Sequence, residues 1–575
     1  VLSRFLACMI LCVTCSCFTS TVVLAQPAVR SDFKIDGRLV DIQTNQPVAR
    51  ARVAVASVTQ RDAFTTVITA EDGLFSFSGL KAGKYSLSAQ AHGYVFQAFN
   101  QHDQYSSSIA VGPDTNSSGL MFRIARENAI EGTITDEAGE PVRSAQIMLY
   151  QTGIAAGTQA TRLRTQGITD DQGGYHLGHL PAGDYLLSVE GTVWYAQRPQ
   201  HRGVNYFPNM ISVQSGSISS VGVVGLGGAM HIPSEPDTPN PLDLAYPLTY
   251  FPGVTEAASA SVIHLTRGEK FVADLTLQPR PAIHMKIPAA GTPESPANYR
   301  LERKMPDGST RHVMSEVRPL PSGEVEILGV APGQYTLFTD LHNPVEPGVR
   351  KVASSETTSA REINAVGNDV VDEGKTMSFA PLKAKIQLEP GASLASRSFI
   401  QLYDFKARRN IFQPIAENHE VEFTQNVPPG SYEISINGGG TSFIRSIVTA
   451  GAKVYGRTVV IRGATPLTLE ITIAKGEALI TGVALRDGQP LAGVMIVAVP
   501  SDPRHNQVLF RRDQSDSDGT FMLPNVVPGD YTVLAIENGW ELQWTKPEIL
   551  KPYLPLGDAL KVEQNGNYSL KLKVQ

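Results

Sequence analysis

Apolar and polar side chains alternate along most of this chain, in short runs broken by glycine, proline and acidic turns. In the stretch DGLFSFSGLKAGKYSLSA, Phe75 and Phe77 point one way and Ser76 and Ser78 the other; Tyr85, Leu87 and Ala89 then resume the alternation. A period of two predicts half-buried strands. The wording returns with Tyr175 and Leu177 ahead of Tyr185, and with Phe521 and Leu523 ahead of Tyr531. Each unit reads Gly, nine residues, Gly, one residue, Tyr. The full copies are Gly73, Gly83 and Tyr85; Gly173, Gly183 and Tyr185; Gly323, Gly333 and Tyr335; and Gly519, Gly529 and Tyr531. A fifth copy keeps Gly430 and Tyr432, with Glu420 in place of the first glycine. Five copies predict a tandem array of repeats.

The unit has a physical logic. Its first glycine closes an acidic turn where a positive φ is needed. The two strands joined by the following Pro/Gly turn form a hairpin or a corner connection. A tyrosine just past such a corner buries its ring and bonds its hydroxyl back to the chain, so these tyrosines are read as makers of the fold. In the copy with Glu420, Val421 and Phe423 sit one residue out of register. A one-residue slip reverses side-chain facing, so a bulge or an altered turn is expected there.

The spacing divides the chain into repeats at 31–125, 126–279, 280–380, 381–475 and 476–575. Repeat two carries a Gly/Ser-rich, then Pro-rich insertion over about 196–252. A connection of that length is functional or unstructured. WTKPEILKPYL, from Trp544 to Leu554, breaks the strand pattern and predicts a short helix; DALKVEQNGNYSLKLKV predicts a closing pair of strands.

The openings Ile35-x-Gly37, Ile130-x-Gly132 and Ile480-x-Gly482, the Pro-Val or Pro-Leu ahead of the second strand, the acidic-Gly turn and Gly-x-Tyr together resemble carboxypeptidase regulatory-like domains, a transthyretin-like family with a carbohydrate-binding-like fold. The resemblance is fullest in repeats one, two and five and partial in three and four. It implies an all-β chain of tandem Ig-like, seven-stranded β-sandwich domains, a size that the repeat length fits. It also implies glycan binding by analogy alone, since a fold does not fix a function.

Composition narrows the class. The 575 residues carry a net charge of −6, with no basic stripe and no acidic tail, so nucleic acid is not expected as a partner. Residues 1–25 read as a secretory signal, with Arg4, an apolar stretch and small residues up to Ala25. All four cysteines, Cys8, Cys12, Cys15 and Cys17, fall inside it, and the residues ahead of them make a poor lipoprotein cleavage box. The mature chain is then expected to hold neither disulfides nor thiolate metal sites. No other run reaches the ~18 apolar residues of a membrane span. A secreted, periplasmic or envelope location follows.

Catalytic motifs are scarce. His176 and His179 are three apart, with no carboxylate at ligand spacing. Gly374-Lys375-Thr376 lacks the upstream glycine of a phosphate loop, where Asp369 stands. Asp516-Ser517-Asp518-Gly519 has Asn525 where a calcium loop needs a bidentate glutamate. No Gly-x-Ser-x-Gly elbow occurs. No catalytic residue, metal or cofactor is expected. Aromatic side chains remain, because an exposed ring offers a flat face to a sugar. The candidates are Trp540, Trp544 and Tyr553 in repeat five, and Trp194, Tyr195 and Tyr250 in repeat two. Tyr206 and Phe207, inside the insertion, are similar. Trp194 and Trp540 align with Tyr94, which favours a structural role for them; Trp544 and Tyr553 have no counterpart in repeat one. The reading is a non-catalytic binding protein, with a polysaccharide as partner; the alternative is a structural spacer or a protein-interaction scaffold of the envelope. Exposure separates the two.

Overall fold

A computed structural model describes residues 33–155, 157–197, 240–292, 295–342, 355–365, 376–423, 426–438 and 442–575. The expected signal, Tyr206, Phe207 and Gly374-Lys375 lie outside the described residues. The regular structure is almost entirely strand, and a short α-helix, Pro547–Leu550, sits where the strand pattern breaks. No helix among the described residues is long and apolar enough to cross a membrane.

Repeat one shows the plan. One sheet sets the opening strand Phe33–Asp41 between Leu74–Leu80 and the closing strand Leu120–Ile124. The other orders Gln60–Ile68, Arg52–Ser57 and Gly83–Gln90, with Gln97–Ala98 and Ile109–Val111 both paired to the last of these. Inward residues of both sheets, Ile35, Val53, Phe77 and Leu87 among them, meet in one apolar core. Repeats two to five enclose cores of the same kind around Ile130, Ile283, Leu382 and Ile480.

The closing strand runs parallel to the opening one, pairing Gly37 with Leu120 and Gly482 with Leu570. This explains the opening Ile-x-Gly. A Cβ on Gly37, Gly132 or Gly482 would stand 2.2, 2.5 or 2.3 Å from the carbonyl oxygen of Leu120, Ala273 or Leu570. Only a glycine lets the two backbones approach so closely. The first glycine of the unit has the positive φ its turn requires, at 74° in Gly73, 73° in Gly173 and 74° in Gly519.

All five tyrosines form the expected corner. Tyr85, Tyr185, Tyr335, Tyr432 and Tyr531 donate their hydroxyls to the carbonyls of Lys81, Pro181, Ala331, Pro428 and Val527, each four residues back, at 2.6–3.0 Å. Burial pushes the Tyr185 hydroxyl up to about 12. Tyr185→Phe keeps the ring and leaves the Pro181 carbonyl without its donor. We expect a loss of about 1–2 kcal/mol, seen as faster amide exchange in repeat two.

One expectation changes. The final strands, Asp558–Val562 and Asn567–Lys573, do not pair with each other: they join opposite sheets, on Gly529–Ile536 and Ala478–Arg486. In repeat four, Val421 and Phe423 face the core like their counterparts. The extra residue falls after them, since Phe423 to Val427 spans four positions where Phe77 to Leu80 spans three; 424–425 lie outside the described residues.

The repeats make a bent chain, not a rod. Repeat five folds back to touch repeats one, two and four.

Candidate functional site

The turn into the acidic loop of repeat five carries a buried hydroxyl. Ser515 accepts from the Val494 N–H at 2.9 Å and donates to the Leu491 carbonyl at 2.7 Å. Thr69 and Thr169 make the same two bonds, to Ala51 and Val48 and to Ala145 and Val142. Each hydroxyl stands four residues before the first glycine of its unit, a spacing visible in the sequence and passed over there.

The next residues of repeat five grip repeat one. Asp516 accepts from the Ser108 N–H at 2.7 Å and pairs with the Lys84 ammonium. Ser517 donates its N–H to the Ser108 carbonyl at 2.9 Å, and its hydroxyl accepts from the Ala110 N–H at 2.8 Å. Buried Gln514 donates to the Asn100 carbonyl at 2.7 Å and to Ser107 at 2.9 Å. The Asp-Ser-Asp-Gly turn thus spends its polar groups on the neighbouring repeat. Among the described residues no group of three or more His, Cys, Asp or Glu could hold a metal ion.

An aromatic cluster continues this seam. After the strand Gly529–Ile536, Asn538 adopts a left-handed turn that starts the short 3-10 helix Gly539–Glu541. This places Trp540 against repeat one. Its Nε1 donates to the Gly493 carbonyl at 3.1 Å, and its ring stacks on His102 at 5.2 Å and 8°. The Arg512 guanidinium lies over Trp544 at 4.4 Å and over Tyr105 at 5.0 Å. Trp544 itself is only 6% exposed. It packs on Phe510 and roofs Met495, Val497 and Leu534, and a Cβ on Gly157 of repeat two would meet its ring at 2.2 Å. Thr545 donates to the Gly157 carbonyl at 2.7 Å. Tyr553 is half-buried on the same cluster.

The six aromatics proposed from sequence do not share a surface. Trp540, Trp544 and Tyr553 are built into the packing around repeat five, and exposure, the property a sugar platform needs, is missing at Trp544. Tyr250 is buried with Tyr150, Leu248 and Met305 on the outer face of repeat two. Trp194 alone stands out, 80% exposed, edge-on to Tyr195 at 5.5 Å. Tyr195 donates to the Glu137 carboxylate. His176 and His179 do have carboxylates nearby, but different ones, Glu131 at 3.2 Å and Glu127 at 2.5 Å. Sequence spacing missed both because Glu131 lies on the strand paired with that of His176, and Glu127 just ahead of it.

Asp41 ties repeat one to the start of repeat two. Burial alone would raise its carboxyl; donation from Arg126, Thr44, Gln43 and Tyr94 outweighs it and brings the value down to about 2. The Arg126 Nε lies at 2.7 Å. The folded value is below the unfolded one, so this contribution is complete above about pH 4 and disappears as pH falls through about 2, a change of roughly 2 kcal/mol. An acid titration of unfolding should show that loss, and Asp41→Asn should remove it.

What the fold defines is a class: tandem all-β sandwiches with hydroxyl-anchored turns and tyrosine corners. Sequence comparison adds a domain match over part of the chain. The carboxypeptidase regulatory-like domain matches residues 34–117 and 129–204, so the chain carries two such domains in tandem. A comparison with curated proteins gives no match. Among solved structures, the Bacillus anthracis TIE protein is similar at 10% identity, over 94% of this chain and 73% of that one, with a TM-score of 0.15. A streptococcal ancillary pilin is similar at 11% identity, over 51% and 99%, with a TM-score of 0.18. The major pilin subunit of Bacillus cereus is similar at 9% identity, over 78% and 99%, with a TM-score of 0.14.

Proposed function

We propose that this chain is a non-catalytic extracellular or envelope protein that works as a structural spacer and protein-interaction scaffold. The observation that carries this reading is the burial of Trp544 between repeats: the aromatics best placed by sequence to hold a sugar instead hold the chain's own repeats together. The polar seam of Gln514, Asp516 and Ser517 supports it, because those groups are spent on repeat one. The first repeat also keeps a long outer strand, Gln60–Ile68, to which a partner's strand can add.

A spacer must hold its shape without a ligand. Small-angle scattering of the chain from Gln26 to Gln575 should give a folded-back particle, and Trp540→Ala/Trp544→Ala should swell it. A chain already extended, and unchanged by the double substitution, would contradict the reading. Polysaccharide binding is the second reading, favoured by the exposed ring of Trp194.

A further inference from the structure

The three best-matched repeats expose one equivalent surface to three different fates. It is the outer face of the sheet that holds the Gly-x-Tyr strand. In repeat two the outward positions of the second strand are Met148 and Tyr150, and they lie under Leu248, Tyr250 and Met305. In repeat five they are Met495, Val497 and Val499, under Trp544 and Leu550. Both faces are therefore roofed by protein, and both present large apolar side chains to their roof.

In repeat one the same positions are Arg52, Ala54 and Ala56. Facing them across the next strand are Ser86, Ser88 and Gln90, where repeat five has Thr532, Leu534 and Ile536. No roof lies over this face among the described residues. Instead it holds a shallow open groove of about 130 Å³, floored by Ala54, Thr66 and Ser88. Two rings flank it, Phe64 at 69% and Phe96 at 60% exposure. Arg52 donates to Gln90 at one end.

We propose that this groove is a binding site for a neutral polysaccharide chain. Its chemistry differs from the roofed faces in the direction a sugar requires. Where the chain covers itself with protein, it places Met, Tyr, Val and Leu; here it places alanine and hydroxyls between two aromatic rings. Rings give the apolar faces of a pyranose a flat surface, and the Ser, Thr, Gln and Arg groups meet its hydroxyls. The volume is well below the ~300 Å³ at which pockets engulf a whole small molecule, so the groove suits one stretch of an extended chain lying across the sheet. Arg52 is the one ionisable side chain in the lining; donating to the neutral Gln90 amide it keeps its positive charge, which the anionic polymer in the test controls for. This site goes beyond the scaffold reading and does not depend on it.

The test uses the chain from Gln26 to Gln575 in affinity electrophoresis through gels containing xylan, hydroxyethyl cellulose, dextran or polygalacturonate, followed by calorimetry with the hexasaccharide of any retarding neutral glycan. Retardation by a neutral glycan is expected, with affinity falling about tenfold or more in Phe64→Ala and in Phe96→Ala. Both rings are exposed, so unchanged melting of these variants checks that the fold is intact. Trp194→Ala should keep full affinity. The proposal is overturned by no retardation in any neutral gel, by retardation that survives Phe64→Ala/Phe96→Ala, or by retardation in polygalacturonate alone. It is also overturned if the intact chain self-associates in light scattering and the double variant does not, since a second copy would then be the occupant.

Discussion

Gly482→Ala should unfold the last repeat while Gly153→Ala leaves its own repeat nearly unchanged. The added Cβ at Gly482 would sit 2.3 Å from the Leu570 carbonyl oxygen and 2.7 Å from the Phe521 ring. Neither neighbour is the free end of a flexible side chain. Leu570 belongs to the closing strand, held in parallel register to the opening strand from Leu479 to Leu485. Phe521 is core. Relief therefore means moving the closing strand off the sheet, which breaks a ladder and opens the core. We expect a loss of at least 3 kcal/mol, in the range of severe overpacking. Gly132→Ala should do the same in repeat two, against the Ala273 carbonyl. Gly153 also lies within a strand, yet its Cβ would meet nothing within 4 Å, so Gly153→Ala should shift stability by less than about 1 kcal/mol. A chain of several domains does not melt in one step, so the readout is amide exchange resolved by repeat.

The second large effect is at Trp544. Trp544→Ala removes the roof over Met495, Val497 and Leu534 and takes away the ring that Arg512 and Gly157 pack against. Truncating a buried tryptophan costs about 3–5 kcal/mol. The loss should appear in two places: lower stability of repeat five, and faster exchange in the hairpin of repeat two that carries Gly157. Trp544→Phe should cost much less. The indole Nε1 is buried without a hydrogen-bond partner, so a phenyl ring gives up area but no bond. Equal losses for the alanine and phenylalanine variants would mean that the ring does not pack as described.

The parts of this fold that were legible in the sequence are the local ones. The tyrosine corner bonds four residues back, inside the pattern that reveals it, so Tyr85 through Tyr531 could be read without knowing any other strand. The positive φ of Gly73 is likewise a property of its own turn. The opening glycine was visible but unexplained, because its reason is a closing strand 83 positions on for Gly37 and 88 for Gly482. The fate of the aromatics was not legible. Trp540 lines up with Tyr94, but what covers it is His102, more than four hundred residues earlier. One signal was available. Residues 495–500, MIVAVP, lack the alternation of a half-buried strand, and every one of them is buried. A continuous apolar run marks a strand covered on both faces, so the sequence already pointed to a roof over repeat five. Repeat one, with RVAVAS at the same place, alternates and has none.

The last repeat returns to the first and stays there. The direct measurement is a cross-link across that seam. In a chain whose four natural cysteines are replaced by serine, Ser108→Cys and Ser517→Cys place two thiols where the backbones share a 2.9 Å hydrogen bond. That bond brings the two Cα atoms to within about 6 Å, in reach of a short dithiol-reactive linker. Rapid, high-yield cross-linking within single chains is expected, independent of dilution and slowed by Trp540→Ala/Trp544→Ala. Cross-linking that is absent, or that joins separate chains and fades on dilution, would contradict it.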